Sequence, residues 1–345
     1  MDFNFILFLL LSCGSGSTKT EDPKTTFLTS IANLGKGFLD VFTSLSDMIT
    51  GAFGIKADTK KSDIGQYFTS IEKTMNTVKK KLQEEVAKNG NYSKIKSVVD
   101  TFITNTLDKI AEGAKTAATG ATTDTVIGNA TSAGHGATPA SKVSVVSLVK
   151  GIKTIVDVVL KDNEGNAGAT KTGEDKKDIG ALFIDNTGKA DAKEENIAKA
   201  SASIGAVTGA DILKAIAKSE VNPAADSTEG INAAEDAAGI AIAPAVANKK
   251  EIKDAAKKDA VIAAGIALRA MAKDGQFAAN AEKDAHAVNG AAASAVGKTL
   301  STLIIAIRNT VDSGLKTINK ALASVTQEDK STDSTTPEET TASGQ

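Results

Sequence analysis

The chain has 345 residues, a formal net charge of −2, 4% aromatic residues and no Trp. Basic and acidic residues are interspersed, which removes the basic stripe that nucleic-acid binding needs. Two His and one Cys cannot supply the roughly four N or S ligands of a structural zinc site. A core of Ala, Ile, Val and Leu suits helices packed in layers, and this length fits two domains or one elongated one.

The chain opens with an apolar run, Phe3 to Leu11, whose length matches the hydrophobic region of a secretory signal and not a membrane span. Leu10-Leu11-Ser12-Cys13 then has the form of a bacterial lipobox, in which the cysteine becomes acylated. The only Cys in the chain occupies that position, although Asp2 stands where such signals carry Lys or Arg. Residues 1–12 read as a lipoprotein signal peptide, Cys13 as the lipidation site, and 13–26 as a flexible polar tether.

Beyond the tether, Phe27, Ile31, Leu34, Phe38, Phe42, Leu45, Ile49 and Phe53 recur at helical spacing, with a stop near Gly54. A second helix begins at Asp63 and carries Ile64, Phe68, Ile71, Met75, Val78, Leu82 and Val86. A third starts at Ser93 with Ile95, Val99, Phe102, Thr106 and Ile110. Residues 113–140 turn to Ala, Thr, Gly and Ser and read as a loop and not a packed element. Ser141 looks like the N-cap of a helix carrying Val145, Leu148, Val149, Ile152, Ile155, Val156 and Val159.

A second Gly-rich loop spans 161–175, and KKDIGALF (176–183) echoes KSDIGQYF (61–68) at Lys, Asp, Ile, Gly and Phe. Both copies place an Asp where it can cap a helix start. A helix over 192–218 is loosened near Gly205 and Gly209, and a third loop covers 219–235. The central helix, about 251–274, holds nine residues without a polar side chain, Ala260 to Leu268, and is apolar all round, as a helix buried on every side would be. The last helical pattern runs from Ala292 to Val325, and the polar tail 326–345 reads as disordered. No segment alternates with period two. The expected fold is all-α: one elongated helical bundle over 27–325, with Gly/Ala/Thr-rich loops at its tip and a disordered C-terminal tail.

A search for chemistry finds little. His135 and His286 each lack a neighbouring Cys or His and read as exposed bystanders. No phosphate-binding, nucleophile-elbow or metalloprotease motif is present, so the expectation is no catalytic residue, no cofactor, no metal and no small-molecule substrate. Arg269 is the one charge inside the apolar helix and reads as paired with a carboxylate or snorkelling to the helix edge, against a buried Arg awaiting an anion. Lys257, Lys258 and Asp259 read as an exposed first turn.

KKDAVIAAGIALRAMAKDGQFA (257–278) resembles the invariable region of the variable surface lipoproteins of Borrelia, and KSDIGQYF, the cassette around LFIDNTGKADA and TLSTLIIAIRNTVDSGLKTINKAL resemble the variable large proteins of relapsing-fever spirochaetes. The resemblance covers about Thr26 to Val325. It implies a surface-exposed outer-membrane lipoprotein anchored through Cys13, expressed one allele at a time and switched to evade host antibody. It also implies membrane-proximal terminal helices, distal variable loops and an invariable helix packed inside. The competing reading is an adhesin whose distal loops bind a host protein or glycan. The expected partners are the outer membrane and host antibodies; the sequence leaves a homodimer open.

Overall fold

The computed structural model describes residues 23–49, 54–89, 92–173, 176–326 and 329. The signal peptide, Cys13, tether residues 13–22 and most of the tail lie outside the described residues. Among the described residues ten α-helices follow one another: α1 (Pro23–Ile49), α2 (Lys61–Lys88), α3 (Ser93–Phe102), α4 (Asp108–Ala118), α5 (Lys142–Val159), α6 (Glu194–Ala206), α7 (Gly209–Lys218), α8 (Ala237–Ile242), α9 (Asp259–Met271) and α10 (Glu282–Leu322). Among the described residues there is no strand, only isolated bridges at Lys60–Val126, His135–Ala279 and Thr138–Gln276.

At 1.5 Å per residue the 41 residues of α10 extend about 60 Å and set the long axis. Its length and composition would also suit a membrane span, but its apolar face packs against α1, α3, α5, α6, α7 and α9. At one pole Leu322 meets Gly35 of α1, and Lys94 of α3 donates to the Ser324 carbonyl. Both described ends of the chain therefore share that pole. At the other pole α10 begins beside the loop after α4, where Asn289 exchanges hydrogen bonds with the main chain of Ala130.

The apolar stripe of α2 is buried throughout, and Asp63 caps its start by accepting the Lys60 N–H at 3.0 Å. The third helix is not continuous. A π-turn over Ile103–Leu107 inserts a residue between α3 and α4, so the buried stripe passes from Phe102 through Ile103 and Leu107 to Ile110. Residues 113–118, expected in a loop, complete α4. They stay helical because Gly113 lets α4 approach α5 at Gly151, where an added Cβ on Gly113 would lie 2.7 Å from the Gly151 carbonyl.

The loop 119–141 is itself packed. Ile127 is fully buried, and the loop's main chain pairs with residues 57–62 (Lys61 N–H to Thr125 O, Ile127 N–H to Thr59 O). Ser141 makes no side-chain cap at the start of α5; its N–H donates to the Lys273 carbonyl. The 192–218 helix breaks into α6 and α7 with a 100° bend, and α7 is re-started by a reciprocal cap between Thr208 and Asp211. The loop after α5 does not stay at one end: residues 160–164 lie beside Asn309–Gly314 on α10, and residues 171–172 reach Asp259.

Expected over 251–274, the central helix is α9, only 259–271. Residues 251–258 are irregular with one turn at 254–256, and the chain leaves the helix at Ala272 (ψ 152°) before Asp274 adopts φ 67°. α9 is buried on nearly every face; Val261 alone is half-exposed. Conversely α10 starts ten residues before the expected Ala292. Ala285, Ala291 and Ala292 are buried with Val288, and Asp284 accepts the Ala281 N–H. Small side chains carry that turn of the core, which a search for large apolar residues passes over.

Helix C-termini are closed in a repeated way. The last carbonyls of a helix have no intrahelical partner, and here Lys or Arg from another element donates to them. Lys214 serves α5 at Leu160 O, Lys298 serves α6 at Ile204 O and Val207 O, Lys153 serves α7 at Ala217 O, Arg269 serves α8, and Lys61 serves α9 at Ala272 O. Each cation also meets the negative end of the helix dipole.

Gly151→Ala tests the α4–α5 contact, because its Cβ would run into the Ala117 nitrogen and the Gly113 carbonyl, both backbone. We expect a loss of about 1–3 kcal/mol in denaturant unfolding; an unchanged midpoint would refute the tight crossing.

Candidate functional site

The polar groups of the interior converge on α9. At its start Asp259, fully buried, accepts the Lys171 and Thr172 N–H groups at 2.6 and 2.8 Å and the Thr172 hydroxyl at 2.7 Å. Lys176, also buried, lies 3.1 Å from Oδ1, the oxygen that accepts the Thr172 hydroxyl. The expectation of an exposed turn at 257–259 fails at this residue: Lys258 is exposed and Lys257 half-buried, but Asp259 is the anchor of the 160–176 loop. Burial alone would raise its carboxyl, yet the loop N–H and hydroxyl donors outweigh it and hold it down at about 2.

At the other end of α9, Arg269 is fully buried and has neither of its expected fates. It neither snorkels nor bonds a carboxylate. Its Nη1 donates to the carbonyls of Ala241 and Ala243 at 3.1 Å and Ile240 at 3.3 Å, and its Nε to Gln276 O at 3.1 Å. The guanidinium lies 5.0 Å from the Phe183 ring centroid, a cation–π distance, and Phe183 packs edge-on against Phe277. Burial lowers Arg269 to about 9, so it stays charged at neutral pH. Lys61 donates to Ala272 O at 2.6 Å and Gly275 O at 2.8 Å; burial first, then the Arg269 charge, pulls it down to about 7, against Asp274.

The echo KSDIGQYF and KKDIGALF is realised as two clamps on this helix. The first Lys of each copy is buried, Lys61 at the end of α9 and Lys176 at its start. The Gly of each, Gly65 and Gly180, lies so close to a backbone carbonyl, of Ala121 and of Lys250, that a Cβ could not fit. The Asp residues diverge: Asp63 caps α2, whereas Asp178 makes no cap and faces Lys199 at 3.6 Å.

Among the described residues no cluster of His, Cys, Asp and Glu could hold a metal, and the clefts there are open to solvent, one lined mainly by the 220–236 loop and two by loop residues together with α5, α7 and α10. Tyr67 donates to the Leu300 carbonyl and Tyr92 is buried, so both tyrosines serve the core. His286 is exposed on α10, near Glu282. His135 is not the isolated bystander expected; it is hydrogen-bonded to Thr131, Gly136 and Gln276. Cys13 lies outside the described residues.

The arrangement is a sealed scaffold with polar groups spent on holding one helix and its loops. The Borrelia lipoprotein family profile matches residues 38–322. The chain is 71% identical over 342 residues to variable large protein 4 of Borrelia hermsii, covering 99% of this chain and 97% of that protein. Variable large protein 17 of the same organism is 64% identical over 342 residues, covering 99% and 96%.

The chain belongs to the Borrelia lipoprotein family, among its variable large proteins.

The fold agrees with that of a solved family member: the crystal structure of the Lyme disease variable surface antigen VlsE of Borrelia burgdorferi superposes with a TM-score of 0.75 at 33% identity, covering 87% of this chain and all of that one. In this variable large protein the buried helix α9 coincides with the 257–278 stretch that carried the sequence resemblance, and its polar anchors, Asp259 and Arg269, lie within that stretch.

The Asp259 carboxyl predicts an acid-side stability loss. Its folded value, about 2, lies below the ordinary 3.8, so its contribution is present above about pH 4 and disappears as pH falls toward 2. Asp259→Asn should be less stable at neutral pH, with the gap to the unsubstituted protein narrowing from pH 5 to 2 in urea unfolding. A gap constant across that range would contradict the assignment.

Proposed function

We propose that this protein is an antigenically variable surface antigen, anchored in the outer membrane through acylated Cys13, expressed one allele at a time and exchanged under host antibody. It works without catalysis, as a shield. The observation that carries the reading is the combination of variable-antigen relatives over nearly the whole chain with a fold that separates frame from loops. Both described chain ends lie at one pole, which suits attachment there through an N-terminal lipid, and the loop 119–141 lies at the other.

The physical mechanism is decoupling. Exposed positions such as Thr122, Asp124, Ser132 and Ala133 in the distal loop, or Ala224, Ala225 and Ser227 in the 219–229 loop, contribute nothing to the buried core. Substitutions of this kind cost within about 0.5 kcal/mol, so the antibody-facing surface can change while the cation-capped frame stays intact. Host antibodies and the outer membrane are the partners of this reading.

Clonal bacteria expressing this copy are passaged through an antibody-competent host and the expressed locus is sequenced. We expect replacement by an allele that differs at exposed loop positions and keeps Lys257–Ala278. Retention of the same sequence under that selection would contradict the shield and favour an adhesin with fixed distal loops.

A further inference from the structure

The loop AGHGATP holds a group that the shield does not use. The His135 ring has three partners. Its Nδ1 donates to the Gly136 carbonyl at 2.8 Å, and its Nε2 accepts the Thr131 N–H at 2.9 Å and faces the Gln276 amide nitrogen at 3.3 Å. A carbonyl only accepts and a backbone N–H only donates, so these two fixed groups select the neutral ring with its proton on Nδ1. The Gln276 amide is fixed as well, since its Nε2 donates to Asn129 O at 2.9 Å and its Oε1 accepts from the Thr138 hydroxyl at 3.3 Å.

Around this ring the distal loop is joined to the segment leaving α9. His135 and Ala279 exchange main-chain hydrogen bonds at 2.9 and 3.0 Å, and so do Thr138 and Gln276. Asn129 Nδ2 donates to Gly275 O, which also accepts from Lys61.

We propose that His135 is a proton-operated latch: the neutral imidazole clips the 131–136 turn to Gln276, and a second proton, at Nε2, opposes two N–H donors and releases the turn from the 276–280 segment. The charged groups on the surrounding elements are Lys189, donating to Gly134 O at 3.2 Å, Arg269, donating to Gln276 O, and Lys61 and Asp274 beside Gly275. From the 184–188 segment comes Asp185, whose carboxylate is engaged by the Gly188 N–H. None of the three ring partners is a carboxylate, so the added proton gains no counter-ion there. The consequence is a distal surface with two shapes, closed at neutral pH and open in acid, in a protein whose frame is unchanged.

The test is nitrogen-15 NMR of the full mature chain, reading the imidazole nitrogens and the amide exchange protection of Gln276 and Ala279 at pH 7.5 and 5.0. We expect an Nδ1–H ring at pH 7.5. Protection corrected for intrinsic exchange should fall about tenfold on acidification, the loss of one hydrogen bond, with α9 amides unaffected. His286, exposed on α10, serves as the internal control for a ring outside the latch. In His135→Gln, whose side chain can accept but does not titrate, the pH response should vanish. An Nε2–H ring at pH 7.5, a ring that keeps its neutral form at pH 5.0, or protection unmoved while His135 titrates would each overturn the latch.

Discussion

Carbonyl groups at helix ends, and the cations that close them, organise this molecule. A bundle cut into many short and long helices exposes many C-terminal carbonyls, and burying them unpaired costs about 1–3 kcal/mol each. Glycine caps are the common remedy, but here Lys and Arg side chains reach across from neighbouring elements. Arg269 is the extreme case. It closes α8 and holds the Gln276 turn from inside a helix that has no other charge between Ala260 and Met271. Among the described residues it bonds carbonyls and no carboxylate, so its positive charge is met by oriented carbonyl dipoles and the face of Phe183.

This solution explains how α9 can be enclosed on nearly every face and still determine the loops. Asp259 fixes the 160–176 loop, Arg269 fixes 240–243 and 276, and Lys61 fixes 272–275. The loops are therefore tied at a few backbone points and free between them. A surface that must change can do so at the free positions, while most tie points are made to main-chain atoms and only Thr172 and Lys176, at Asp259, bind through their side chains.

Much of the frame was legible in the sequence because large apolar residues mark it: the stripes of α2 and α5, and the all-round apolarity of α9, are seen as expected. The start of α10 was hidden because Ala, too small to register as a stripe, buries there. The π-turn at 103–107 left no mark in the spacing of polar residues. The site was less legible. Lys61 and Lys176 look like any surface lysines, since nothing local shows that a carbonyl or a carboxylate from 80 or more residues away will meet them. The repeated K-x-D-I-G pattern is the available signal, and its Lys and Gly, not its Asp, carry the shared role. Arg269 stands out as the one charge in its helix, but its partners come from the short α8 and the Gln276 segment, which no periodicity predicts.

The most direct measurement of this account is the stability of Arg269→Met and Arg269→Lys by urea unfolding, with hydrogen exchange read at 240–243 and 272–276. Met fills the space but donates nothing, and should lose more than about 3 kcal/mol because several buried carbonyls are orphaned. Lys keeps the charge without the fork and should recover only part, with both segments exchanging faster than the α2, α4 and α5 helices. If Arg269→Met unfolds within about 0.5 kcal/mol of the unsubstituted protein and those segments stay protected, the carbonyl cage is not what holds α9 and its loops together.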